Sequence, residues 1–194
     1  MKMNNNKITK IGSVLSDRDI KQALKNKELL IDGYKPLYIG PSSIDLHISN
    51  IAKILIDNDK YWKIDLRNKK TINFKEFKFK KLTIYPEDFY LISTKEYLTF
   101  GNNIVGFLQG RSSLARIGLN IHASGYFDAG FSGTATLELT NFTKRPIIIY
   151  EGMRLCQMVF IRTESPAEIP YSIKKDSKYQ GQIKPEASKI YKDK

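Results

Sequence analysis

The run GRSSLARIGL, residues 110–119, sets Arg111 and Arg116 beside two adjacent hydroxyls, Ser112 and Ser113, straight after the apolar stretch NIVGFLQ. Guanidinium groups and hydroxyls at this spacing suit phosphate oxygens. The arginines offer planar forks of donors, and a very short helix capped by Ser112 or Ser113 would add free backbone N–H groups. The same residues also fit a capped surface helix with two solvated arginines, Leu114 and Ile117 on one face and Gly118 at its end. A second cluster follows in GYFDAGFSGTATLELTN. Asp128 lies between glycines in an expected tight turn. Past Gly133, strand alternation puts Thr134, Thr136, Glu138 and Thr140 on one face and Ala135, Leu137 and Leu139 on the other. Glu138 is then either a carboxylate on a solvated sheet face or a general acid/base in a pocket, where small threonine neighbours leave room for a ligand.

Other chemistries find little support. His47 and His122 sit in separate segments, the chain has one cysteine, and no His/Cys group has zinc-ligand spacing. The zinc nucleobase-deaminase signature, His-x-Glu followed by Cys-x-x-Cys, is absent, as are a Gly-x-Ser-x-Gly elbow and an RNA-binding RRM signature. His47 reads as a strand residue with a local hydrogen bond. Trp62 and the phenylalanines read as core, and Cys156, in an apolar run, as a buried inert thiol.

The elements that must position these groups are mostly strands. LSDRDIKQAL starts a helix with Ser16 as N-cap, Asp19 returning the bond, Leu15 and Ile20 as a hydrophobic staple, and Asn26-Lys27 as the end. Period-two runs follow: Ile44, Leu46 and Ile48; residues 51–56; Ile72 and Phe74, then Phe77 and Phe79 across a one-residue slip that reads as a β-bulge; then FYLIST, NIVGFLQ, GTATLEL, PIIIY and MRLCQMVFI. Turns are expected at Pro86-Glu87, Gly101-Asn102, Lys144-Arg145-Pro146 and Glu151-Gly152. Many short strands and one early helix predict a mainly β barrel or sandwich. The 194 residues, 41% hydrophobic and 27% charged, suit one domain, residues 1–171, with a polar C-terminal arm, residues 172–194, that on its own lacks periodicity. A net charge of +12 suits an anionic partner, although the lysines are scattered. No apolar run is long enough for a membrane-spanning helix, and the polar start lacks the core of a secretory signal, which together with the single cysteine fits a cytoplasmic protein.

Taken in order, VLSDRDIKQAL, GPSSIDLHI, GRSSLARIGL, GYFDAGFSGTATLEL, EGMRLCQMVF and SKYQGQIKPEAS resemble the motifs of the trimeric dUTPase and dCTP deaminase superfamily. Residues 53–81 are the least typical part. The resemblance implies a distorted antiparallel β-barrel of the dUTPase-like (β-clip) type, assembled as a homotrimer. Its active sites would lie between subunits, with the arm closing over bound nucleotide. It implies Arg111 and Ser113 on the triphosphate, with Leu114 and Ala115 in the same segment. Ser112 and Arg116 fall nearer the base and the catalytic carboxylate, and Asp128 on the deoxyribose 3′-hydroxyl. Thr136, Leu137 and Glu138 line the base pocket. Gln157, Tyr171, Lys178 and Gln182 complete the nucleotide site.

A carboxylate at Glu138 separates dCTP deaminases from plain dUTPases. It could take the protons of the water attacking C4 of cytosine and pass them to the ring nitrogen and the leaving amine, with no zinc. Gly125-Tyr126 resembles the branch that continues to dUMP and pyrophosphate, with Mg²⁺ carried by the triphosphate. Ser124, Tyr126 and Phe127 depart from the usual residues. The expected activity is conversion of dCTP to dUMP, ammonia and pyrophosphate, dUTP being a further possible substrate and neither membrane nor nucleic acid a partner. The alternatives are a deaminase that releases dUTP, a dUTPase that keeps Glu138 unused, or a non-catalytic nucleotide- or nucleic-acid-binding protein on the same barrel.

Overall fold

The computed structural model describes residues 13–56, 60–122 and 125–193. Its elements, in chain order, are β1 (Ser13–Val14), α1 (Asp17–Lys25), β2 (Leu29–Ile31), β3 (Ile44–Leu55), β4 (Phe74–Lys78), β5 (Lys81–Ile84), β6 (Phe89–Phe100), β7 (Ile104–Gly110), α2 (Ser112–Ala115), β8 (Leu119–His122), β9 (Tyr126–Phe127), β10 (Ser132–Asn141), β11 (Ile147–Tyr150) and β12 (Arg154–Arg162). Among the described residues, ten strands join in one curled antiparallel sheet, running β8-β10-β6-β3-β12-β7-β9, with β1 on β12, β2 on β6 and β4 on β3. β5 and β11 form a separate pair.

α1 starts as its sequence dictates. Ser16 caps it, the Asp19 amide donates to Ser16 Oγ, and Asp19 closes the capping box. Leu15, Ile20 and Ala23 are buried, so the helix packs its apolar face on the core. The sheet curls where its ladders slip. Register shifts fall between Ile48 and Ala52 against β6, between Thr134 and Thr136 against β6, and between Arg154 and Cys156 against β3. An extra residue on one strand bends it and sharpens its twist. At the β10 shift the Ala135 amide donates to Thr94 Oγ1 at 2.9 Å, so the irregular backbone leaves no donor stranded. Packing inside the curl is tight. A side chain at Gly106 would come within 2.7 Å of the Phe100 ring and 2.8 Å of Met158 Sδ.

Several expectations change. The two apolar runs at residues 44–48 and 51–56 form the single strand β3, because its bulge carries the chain through without a turn. The slip between Phe74 and Phe77 is not a bulge: β4 pairs with β3 in unbroken register from Ile51↔Lys78 to Leu55↔Phe74. Each ring serves one face of the strand, Phe77 packing on the core beside Tyr90 and Phe74 lining a cavity. Trp62 is not core but 84% exposed, with Lys63 Nζ 4.3 Å from its ring centroid. Cys156 is fully buried, and burial pushes its thiol pKa up. Neither serine caps α2. Arg111 holds the N-cap position without a side-chain cap bond, and Ile117 is exposed. Residues 1–12 and Ser124 lie outside the described residues.

The loop from β10 to β11 is tied by Asn141, 1% exposed. Its Nδ2 donates to Ile84 O at 2.9 Å and Arg145 O at 2.8 Å, and its Oδ1 accepts from the Thr143 amide at 2.9 Å. Asn141→Ala strips buried backbone groups of these partners and should destabilise the fold by about 2–4 kcal/mol, read by chemical denaturation.

Candidate functional site

β10 has two unlike faces. Ala135, Leu137 and Leu139 are completely buried, while Thr136 and Glu138 face a cavity of about 510 Å³. That volume falls in the range of small-ligand pockets. Asp128 reaches the cavity from a turn closed by the Phe131 amide donating to Asp128 O at 3.1 Å, with Gly130 at φ 80°. Tyr126 stands beside it, edge-on to Phe107 at 5.1 Å. Burial and then the Asp128 charge raise the Tyr126 phenol pKa, which keeps it a hydrogen-bond donor near neutral pH. Phe74 and Phe89 supply apolar wall. One Glu138 oxygen is buried. A carboxylate, a second carboxylate near the rim and aromatic walls suit a ligand with a flat ring and a polar tail.

The C-terminal stretch closes one side of the same cavity. Gly181 N donates to Ser132 O at 2.7 Å and Thr134 N to Gln182 O at 2.8 Å, so the stretch adds a short parallel bridge to β10 at Gly133↔Gln182. Gln182 Nε2 donates to Thr134 O, and Gln180 makes a two-ended bond, accepting from Ser132 N and donating to Gly130 O. Tyr171 packs on Phe131 and its hydroxyl accepts from Tyr179 N at 3.0 Å. Glu186 N donates to Thr136 Oγ1 at 3.3 Å. On the outside, Lys184 Nζ lies 3.0 Å from Glu76 Oε1, and Lys53 approaches the other Glu76 oxygen at 3.5 Å. β4, in the least typical part of the sequence, therefore gives the cavity a wall and the C-terminal stretch a charged anchor.

The basic motif gathers elsewhere. Among the described residues that line the Glu138 cavity, none belongs to residues 111–116, and Gln157 is also absent. Ser112, Ser113, Ala115 and Arg116 are exposed on α2 and the turn after it, and Leu114 leans on the core. Gln157 stands in register with Gln109 and Asp45 on the sheet, close to where Arg111 meets Asp45. Lys178 is also apart, paired with Asp193, whose hydrogen bond raises the lysine pKa.

Glu138, Asp128, Thr136, Tyr126, Tyr171 and Gln182 thus come together in one chain. Arg111, Ser112, Ser113, Arg116 and Gln157 make a second group, and Lys178 joins neither. The Leu137 side chain faces the core, so only its backbone is open to a ligand. Gly125 precedes Tyr126 in the chain, and its carbonyl accepts from the Leu108 amide at 2.8 Å. Sequence reasoning missed Phe74, Glu76, Asp45 and Arg154. A two-residue step from Asp45 to His47 on an otherwise apolar strand was the available sign for Asp45. Nothing in the local pattern singles out Phe74. His47 also differs from expectation: its Nδ1 lies 2.6 Å from Glu96 Oε1, a long-range partner. Among the described residues, no three His, Cys, Asp or Glu side chains group to hold a metal ion, and no helix is long and apolar enough to cross a membrane.

A family model described as dCTP deaminase-like matches residues 14–163. This chain belongs to the dCTP deaminase-like family. A Persephonella marina protein named "dCTP deaminase, dUMP-forming" is 42% identical over 188 residues, covering 93% of this chain and 99% of that protein. An Aquifex aeolicus protein of the same name is 38% identical over 93% of this chain and 96% of that one. A Thermomicrobium roseum protein named "dCTP deaminase" is 36% identical over 91% of this chain and 93% of that one. Among solved structures, 2′-deoxycytidine 5′-triphosphate deaminase from Agrobacterium tumefaciens superposes with a TM-score of 0.61 at 17% identity, over 79% of this chain and 49% of that chain, which shows a shared fold.

The seat of the C-terminal stretch in this family member is testable. Gln182→Ala removes the buried side-chain bond to Thr134 and should speed protease cleavage within residues 172–193 several-fold, while the core sheet unfolds at nearly its wild-type temperature. The Glu76 clasp carries a pH signature. Lys184, mainly through its hydrogen bond, holds the Glu76 carboxyl below its usual range. The small stabilisation is present above the unfolded carboxyl pKa and lost as pH falls through the lowered native one. Protease sensitivity of the stretch should therefore rise in acid below about pH 4, and Glu76→Gln should abolish that rise.

Proposed function

We propose that this chain is a dUMP-forming dCTP deaminase, converting dCTP and two waters to dUMP, ammonia and pyrophosphate. The observation that carries the reading is Glu138 facing a cavity of about 510 Å³ with Asp128 at its rim, on a chain that matches relatives of that name along nearly its whole length. Cytosine would lie against Thr136 and the aromatic walls, with Asp128 accepting from the deoxyribose 3′-hydroxyl. Glu138 takes a proton from the water that attacks C4. It delivers that proton to the ring nitrogen, then takes the remaining proton from the new C4 hydroxyl and hands it to the departing amine, so one carboxyl serves twice as base and then acid. Such proton transfer contributes roughly 10²–10⁴-fold, and fixed orientation of water and ring supplies much of the remainder.

The triphosphate, with its Mg²⁺, would meet Arg111, Ser113 and Gln157, with Ser112 and Arg116 closer to the base. Their separation from the Glu138 cavity within one chain supports a homotrimer in which a neighbouring copy completes each site. Lys178 and Gln182 would act from the arm, residues 172–194, whose closure over the cavity would exclude water during turnover. Gly125-Tyr126 supports the second step: a residue without a side chain beside the phosphate path leaves space for a water aligned on the α-phosphorus. Scattered positive charge steers the anionic substrate inward. A nucleotide-pool enzyme of this kind works in the cytoplasm.

The Thermomicrobium roseum relative keeps a second reading open, deamination that stops at dUTP. Incubation with Mg-dCTP separates the two. Equal yields of ammonia and pyrophosphate with dUMP are expected; ammonia with accumulating dUTP supports the second reading, and no ammonia at all defeats both. Glu138→Gln should lower ammonia release by about 10³-fold or more while dCTP still binds, since it removes proton transfer and leaves the pocket's shape intact. Ammonia release at the wild-type rate would refute the role given to Glu138.

A further inference from the structure

The outer face of β3 carries Asp45 and His47 one alternation apart, and β12 lays Arg154 and Gln157 across from them, in register His47↔Arg154 and Asp45↔Gln157. Asp45 Oδ2 accepts from Arg154 Nη1 at 3.0 Å, and Asp45 Oδ1 stands 3.7 Å from Arg111 Nε. Arg111 Nη1 also donates to the Arg154 carbonyl at 3.5 Å, and the Arg111 amide donates to Leu155 O at 3.1 Å. One carboxylate, its side chain 18% exposed, therefore sits between two guanidinium groups.

Arg154 is steadied from behind. Its guanidinium carbon lies 5.7 Å from the Tyr38 ring centroid, and Tyr38 stands edge-on to His47 at 4.5 Å. His47 is held in turn by Glu96, 3% exposed, which accepts from the His47 amide at 2.9 Å and meets Nδ1 at 2.6 Å. The chain from Glu96 to Arg154 fixes one side of Asp45, and Asp45 presents its other oxygen to Arg111. Arg111 is thus held through Nε and Nη1.

We propose that Asp45 is a positioning residue for Arg111 and that Arg154 is a second guanidinium of the same subsite, which takes the phosphates of a nucleoside triphosphate. The proposal rests on Arg111 being a triphosphate ligand. It makes an unusual demand on sign. Judged by charge alone, Asp45→Asn removes a negative charge beside the subsite and should tighten binding of a polyanion. If Asp45 acts by orienting Arg111, the same change should loosen it, because a bidentate guanidinium contact depends on the aim of the fork.

The test is the dissociation constant of inorganic tripolyphosphate, measured by calorimetry on the full-length protein, alongside KM and kcat for Mg-dCTP. For Asp45→Asn, the tripolyphosphate constant and KM should both rise about tenfold with kcat within about twofold, and Asp45→Glu, which keeps the charge, should recover most of the affinity. Unchanged or tighter tripolyphosphate binding by Asp45→Asn overturns the proposal. If Asp45→Asn does not fold, Arg154→Gln reads the same subsite: weaker tripolyphosphate binding supports the proposal and unchanged binding overturns it. A wild-type protein that leaves dCTP untouched defeats the proposed deaminase activity, yet the calorimetric comparison still reports on Asp45.

Discussion

The site depends on one strand keeping its register. Ala135, Leu137 and Leu139 are wholly buried, so β10 cannot slide by a residue without turning three apolar side chains outward and Glu138 into the core. Each exposed leucine would cost about 1.5–3 kcal/mol, and a carboxylate driven into the core costs more unless it is neutralised. The leucines thus hold Glu138 on the cavity face, though none of them touches a ligand there with its side chain. The bulge at Thr134/Thr136 belongs to the same constraint. It turns the strand so that its cavity face meets the returning C-terminal stretch, and Thr94 satisfies the amide that the turn would otherwise strand.

Seen this way, the C-terminal stretch is an extension of the sheet. A polar, aperiodic sequence looks unstructured because it cannot bury an apolar face of its own. Here its backbone borrows the edge of β10, and Gln180 and Gln182 act as surrogate backbone groups for Gly130, Ser132 and Thr134. Local composition cannot announce that kind of order, since the partners lie about 50 residues upstream. The same holds for Phe74. Its role depends on β4 lying against β3 with one ring per face, and the sequence pattern alone reads as a slip.

Other parts were legible because their physics is local. Ser16 and Asp19 are three residues apart, so the capping box shows in the sequence. The Thr/Glu against Ala/Leu alternation of β10 shows the two faces directly. The motifs carried the family. Local spacing does not report that the basic group lies outside the Glu138 cavity within one chain, because that placement is set by long-range strand pairing. Trp62 was misjudged for a different reason: large aromatics are mostly buried, but this one sits among charged neighbours, with the Lys63 ammonium over its ring.

The separation gives the central claim a direct test. Glu138→Gln and Arg111→Ala proteins are each purified inactive, mixed, unfolded and reassembled together, and assayed for ammonia release from Mg-dCTP. If each site takes Glu138 from one copy and Arg111 from another, random assembly restores intact sites at about a quarter of their number, and activity returns to about a quarter of wild type. If both residues serve one site within a single chain, no mixture contains an intact site, and activity that stays at the level of the parent variants would contradict a catalytic centre shared between copies.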